Sequence, residues 1–156
     1  MATRSSWIPA GLAVLTLLGA GCGQLGGAPD GFLSASDAPE IIERTQSTTP
    51  LPPGSSFAEL KVDRDSVYEP GEFENRVMAQ AQCKWFLYWL HGFEKADQGI
   101  MNDAVSTLKE IHSWDLYTKA DGSFQRLISS VEAKMELGDP SGVQDYVRLN
   151  CRDITL

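Results

Sequence analysis

Cys83-Lys84-Trp85-Phe86-Leu87-Tyr88-Trp89-Leu90 is the stretch that decides the fold: seven of its eight residues are apolar or amphipathic. Just before it, Phe73, Val77 and Ala81 recur every four residues and mark a one-sided helix. From Cys83 to Phe93 the apolar residues cover every direction, and a helix that is apolar all round is a buried one. The pattern predicts one long helix over 72–93, wrapped by other helices along its second half. Tyr68-Glu69-Pro70-Gly71 reads as the turn before it. Glu72 and Glu74 lie where negative charge favours the helix dipole. Gly92 and the polar Glu94-Lys95-Ala96-Asp97 end it.

Working outward, Ile100, Met101, Ala104, Val105, Leu108 and Ile111 form a 3.6-residue stripe and predict a second helix over 98–112. Trp114-Asp115-Leu116-Tyr117 reads as a loop with aromatic plugs. Phe124, Leu127, Ile128, Val131 and Met135 predict a third helix from Asp121 to Leu137, stopped by Gly138. Asp139-Pro140 restarts the chain as cap and first helical position. The fourth helix carries Val143, Val147, Cys151 and Ile154 on one face. Upstream, Leu60 and Val62 alternate with charged residues, which suggests a short extended piece laid on the core. Glu94, Asp97, Met101, Asp103 and Val105 are matched at an offset of 42 by Glu136, Asp139, Val143, Asp145 and Val147. Both sets begin at a tight turn between helices, so two stacked αα-hairpins are expected, similar to a tetratricopeptide-type pair. The fold class is therefore all-α: a small three- or four-helix bundle over 57–156.

The N-terminus reads differently. Residues 7–20 are an apolar run behind a leader whose only side-chain charge is Arg4, and Gly19-Ala20-Gly21 and Cys22 follow. This is the layout of an export signal. Pro9 and Gly11 break the run, and it falls short of the ~20 apolar residues of a bilayer span. Leu18-Gly19-Ala20-Gly21-Cys22 resembles the lipobox of bacterial lipoproteins, with Gly19 in place of the usual Leu, Val or Ile. The resemblance implies removal of 1–21, acylation of Cys22 (palmitate among the acyl groups) and anchoring at the outer face of the cytoplasmic membrane. The alternative is a secreted form cleaved near Ala28 without lipid. Export also bears on the remaining thiols. Of three cysteines, Cys22 belongs to the lipobox, and Cys83 and Cys151 are then expected to form one disulfide.

Residues 23–56 read as a disordered tether, because 18 of these 34 positions are Gly, Pro, Ser or Thr. Such a chain spans roughly 30–35 Å. Within it, Asp37-Ala38-Pro39-Glu40-Ile41-Ile42-Glu43-Arg44 has the makings of a turn or two of helix. Removing 1–21 takes only Arg4 from the 13 Lys and Arg that face 21 Asp and Glu, which leaves a net charge of −9. That balance, without a basic cluster, argues against nucleic acid and against a peripheral hold on anionic lipid heads. Membrane attachment then rests on the acyl chains. Leu51-Pro52-Pro53-Gly54, Tyr68-Glu69-Pro70-Gly71 and Cys83-x-Trp85 together resemble small exported actinobacterial proteins, a resemblance that brings no activity with it.

No stretch names a chemistry. Trp85, Tyr88 and Trp89 could form a platform for sugar rings, but their spacing in the most apolar segment reads as core. Trp114 and Tyr117 are the better candidates for an exposed aromatic pair, with Trp85 serving only beside a pocket. His91 and His112 have no ligand-spaced partners, so no metal is expected. Glu94, Asp97, Asp103, Glu110 and Asp115 gather around the second helix, where caps and a solvated face account for them as well as acid–base work does. There is no Gly-x-Ser-x-Gly elbow, phosphate loop or dinucleotide fingerprint, and no cofactor is implied. The expected function is a tethered protein-interaction or accessory module with a protein partner. Binding of an envelope glycan or small molecule is the alternative, and an envelope hydrolase the second.

Overall fold

The computed structural model describes residues 28–156. The expected export signal and Cys22 lie outside them. The described chain forms β1 (Leu33–Ser34), α1 (Ala38–Thr48), β2 (Val67–Tyr68), α2 (Glu72–Lys95), α3 (Gln98–Glu110), a 3-10 turn (Ile111–Ser113), α4 (Asp115–Thr118), α5 (Gly122–Glu136) and α6 (Ser141–Asn150). α2 and α3 form one antiparallel hairpin and α5 and α6 a second. They pack face to face, with α2 against α6 and α3 against α5. Among the described residues no helix is long and apolar enough to cross a membrane.

The helix ends follow from local chemistry. α2 starts at Gly71, whose φ of 87° is open to glycine at little cost and turns the chain from β2 directly into the helix. It stops at Ala96 in the left-handed region, where the Asp97 amide donates to the Gly92 carbonyl at 2.8 Å and the Ala96 amide to the Phe93 carbonyl at 3.1 Å. Asp97 then caps α3, its Oδ1 accepting from the amides of Gly99 at 2.9 Å and Ile100 at 3.1 Å. Asp121 caps α5 in the same way through the amides of Ser123 and Phe124.

The core is organised by α2. Phe86 and Trp89 are fully buried with Leu108, Ile111, Ile128 and Val143. The Phe86 ring lies 4.9 Å from that of Tyr146, whose hydroxyl donates to Gln82 Oε1 at 3.0 Å. Burial pushes the Tyr146 phenol up to about 12. Cys83 and Cys151 are joined in a disulfide with Cα atoms 5.7 Å apart, which ties α2 to the end of α6 as expected. Lys84, also buried, donates through Nζ to the Thr155 carbonyl and holds the chain beyond the disulfide against α2.

Two local expectations are corrected. The tether expected over 23–56 does not extend across its second half. α1 is three turns long and packs on α2, where Ile41, Ile42, Leu33 and Val62 cover a second small core of Ala38, Tyr68 and Phe73. Beyond α1, Pro52 is fully buried and the Trp85 indole donates to the Pro50 carbonyl at 3.0 Å, so the Pro-rich segment is a strap across α2. Burial of one face offsets a composition that cannot hold a helix in isolation. The piece at Leu60 and Val62 lies outside any helix or strand and Val62 packs on the second core as expected, while the short ladder pairs Leu33 with Tyr68 and Ser34 with Val67. The Trp114–Tyr117 loop is mostly helical: Asp115, Leu116 and Tyr117 lie in α4 and Trp114 is its N-cap.

Candidate functional site

A concavity lies between the start of α2 and α4. One wall is the Tyr68–Gly71 turn and the first two turns of α2; the other is α4 and the start of α5. Three adjoining hollows of about 350, 290 and 200 Å³ meet along it, and Asn75 borders all of them. Ala79, Leu116 and Phe124 supply apolar lining.

Charge along the cleft is unequal. The carboxylates are Glu69, Glu72, Glu74, Asp115 and Asp121; the bases are Arg76 and Lys119. Both bases are already committed. Arg76 Nη2 lies 2.6 Å from Glu72 Oε1, Nη1 donates to the Lys61 carbonyl at 3.1 Å, and the guanidinium sits 5.4 Å from the centre of the Tyr68 ring. Lys119 Nζ is 2.8 Å from Asp115 Oδ2. Glu74 reaches Arg44 only at 3.8 Å through Oε1, and its Oε2 is buried with no hydrogen-bond partner among the described residues. The cleft therefore has a net negative field over an apolar floor. That combination suits a lysine or arginine side chain, which lays its stem on apolar surface while its head meets carboxylates.

Behind α4 lies a second cluster. His112 Nε2 is 2.9 Å from Glu132 Oε2 and 3.1 Å from Oε1. The imidazole stacks on Tyr117 with centroids 4.2 Å apart and planes 16° apart. The Tyr117 hydroxyl donates to the Gln125 carbonyl at 3.4 Å and lies 3.3 Å from Ser129 Oγ. Gln125 Nε2 returns a bond to the Tyr117 carbonyl at 3.0 Å. Beside it, Lys109 pairs with Glu136 at 2.6 Å, which raises the lysine above its ordinary range. Burial raises the Glu132 carboxyl above its ordinary value, and His112 and Lys109 oppose that shift.

The residues singled out from sequence are dispersed. Trp85 is core, 4% exposed, with its indole N–H on the Pro50 strap and its ring edge-on to Tyr88 at 5.7 Å. Trp114 is half-buried against the core, and Tyr117 is occupied by His112. None of the three borders the cleft. His91 is exposed, far in sequence from the His112 cluster, and among the described residues no group of three His, Cys, Asp or Glu could hold a metal ion. Of the acids around α3, Asp97 is a cap and Asp115 enters the cleft. Sequence reasoning missed Asn75, Arg76 and Glu74 as cleft residues and Glu132 as the partner of His112. The available signal was the i,i+4 spacing of Glu72 and Arg76. Compared with protein-family models, with curated proteins and with solved structures, the chain matches none.

Proposed function

We propose that this chain is an extracytoplasmic helical module, held at the outer face of a bacterial membrane through an acylated Cys22, that captures a basic segment of a partner protein in the α2–α4 cleft. The observation that carries this reading is the cleft itself: an apolar floor under excess carboxylate, with its two bases already paired. The Cys83–Cys151 disulfide supports the compartment, because such bonds persist where the surroundings are oxidising. A cleft of this size suits an accessory role, in which a short segment is held and no bond is made or broken.

A photo-crosslinking residue at Asn75 of the full chain, expressed in the native host, tests the proposal. The expected outcome is a discrete protein adduct in the membrane fraction. It should weaken when Glu69 and Glu72 are both changed to Gln, and be absent from a probe at exposed Gln144. Equal adducts at both positions, or none at either, would remove the cleft as the binding surface. A soluble Cys22→Ser protein identical to the parent in lipid content and location would remove the anchor.

A further inference from the structure

α4 is the least secured helix in the domain: four residues long, none fully buried, with no side-chain cap. Its front, Asp115, Leu116 and Lys119, forms one wall of the cleft. Its back is tied down by Tyr117, which stacks on His112 and bonds to α5 through Gln125 and Ser129. His112 in turn is fastened to α5 by both oxygens of Glu132. The Glu132 side chain is 9% exposed and the His112 side chain 38%, so the carboxylate sits where an unpaired charge is costly while the imidazole is partly open to solvent.

We propose that His112, Glu132 and Tyr117 form a protonation-dependent latch that holds the α4 wall of the cleft in place in mildly acidic surroundings and loosens it as the pH rises. It deepens the cleft reading by naming a regulation of that wall, and the latch itself stands without any partner. Imidazoles as a class change charge between about pH 5 and 8. With His112 charged, the Glu132 carboxylate faces a full cation through two short contacts. With the imidazole neutral, the same carboxylate keeps only a neutral donor. A carboxyl whose folded value is raised by burial costs stability as it ionises, and for Glu132 that cost falls on the tie between α5 and His112 of the 3-10 turn on which Tyr117 stacks. The His112 cation offsets that cost only while it is charged. Once the carboxyl is ionised, the latch turns on the loss of that cation as pH rises.

The other charged groups at this point do not reproduce the effect. Lys109 on α3 and Glu136 on α5 pair with each other, and the raised lysine keeps its charge across this interval. From α4, Tyr117 is the ring stacked on His112, and the Asp115–Lys119 pair lines the cleft. From α2, the Arg76–Glu72 pair lies across the cleft.

Amide hydrogen exchange on the intact protein without partner tests this at Tyr117, Thr118, Lys119 and Ala120, whose N–H groups bond within the 114–117 turn. Protection is corrected for intrinsic rates and taken relative to α2 core amides, so that global unfolding cancels. The ratio should be about fivefold higher at pH 6 than at pH 8, the difference between a charged and a neutral hydrogen bond. It should be flat in both His112→Gln and Glu132→Gln. Tyr117→Phe keeps the stack and should keep the pH dependence at lower overall protection. A flat ratio in the parent, or a dependence that survives in His112→Gln, would overturn the latch. Failure of the crosslinking experiment would leave this result untouched.

Discussion

The two hairpins are built on the same turn and finished with different residues. At an offset of 42, Gly92, Phe93, Ala96, Asp97 and Gly99 in the first correspond to Lys134, Met135, Gly138, Asp139 and Ser141 in the second. In the second hairpin the Asp139 amide donates to the Lys134 carbonyl at 2.9 Å, the Gly138 amide to the Met135 carbonyl at 3.0 Å, and Asp139 Oδ1 accepts from the Ser141 amide at 2.9 Å. These bonds match those at Gly92, Phe93 and Gly99 one for one. The left-handed position is Gly138 in one hairpin and Ala96, at φ 52°, in the other. The close helix contact next to the turn is conserved in place and reversed in residue: Gly92 faces Ile100, whereas Gly142 faces Lys134. One backbone solution therefore tolerates a glycine on either helix, and what differs between the hairpins is where steric slack remains.

The disulfide joins these two halves and carries the largest expected effect. Opening it by changing Cys83 and Cys151 together to Ala should lower unfolding stability in denaturant by about 4 kcal/mol, the chain-entropy value for a loop of this size. A loss below about 1 kcal/mol would mean that packing between the hairpins holds the bundle without the covalent tie. Next is the reversed glycine contact. An added Cβ at Gly92 would lie 2.6 Å from Ile100 Cγ2 and 2.9 Å from Ile100 Cβ. Gly92→Ala should therefore destabilise by about 1–2 kcal/mol, since overpacking outweighs the gain in helix propensity. Ile100→Ala in the same chain should recover part of that loss in a double-mutant cycle. Gly142→Ala meets only the flexible Lys134 Cδ at 2.9 Å before the backbone at 3.4 Å, and should stay within about 0.5 kcal/mol of the parent. Equal costs at the two glycines would break the comparison.

The turn residues come next. Ala96→Gly should stabilise by about 0.5–1 kcal/mol, because alanine bears the left-handed strain that glycine avoids. Gly138→Ala should cost about 1 kcal/mol for the same reason. The smallest effect concerns the second turn in acid. The Ser141 amide bond holds the Asp139 carboxyl below its ordinary value. A depressed carboxyl contributes stability above its unfolded value and loses it as pH falls through the folded one. Asp139→Asn should therefore flatten the acid end of the stability profile slightly.

Much of the bundle was legible because its signals are local and strong. The Phe73 stripe, the all-round apolar run from Cys83, and the Gly138-Asp139-Pro140 stop and restart each report one element with no knowledge of the rest. The disulfide was legible by elimination among three cysteines in a chain read as exported. α1 was legible only as a turn or two of helix, because its Gly-, Ser-, Thr- and Pro-rich surroundings read as tether, and its full length is stabilised by Tyr68 and Phe73 lying under Ile41 and Ile42. The cleft was hidden for a related reason. Its walls are separated by some forty residues, and its carboxylates read one at a time as helix-start charges or caps. The His112–Glu132 pair spans 20 residues and two elements, a distance at which spacing alone says nothing. Trp85 was assigned to the core on periodicity alone, but its Pro50 strap could not be read from a proline-rich run.

The disulfide staples two hairpins into one frame, and the proposed latch makes α4 the wall of the cleft that moves against it. Native-state hydrogen exchange in low denaturant tests that division most directly. The predicted result is that core amides of α2, α3, α5 and α6 exchange only through global opening, with a strong dependence on denaturant, while 117–120 exchange through a local opening of lower free energy and almost no denaturant dependence. If 117–120 exchanged on the same isotherm as the hairpins, α4 would be part of the frame, and a movable cleft wall would be contradicted.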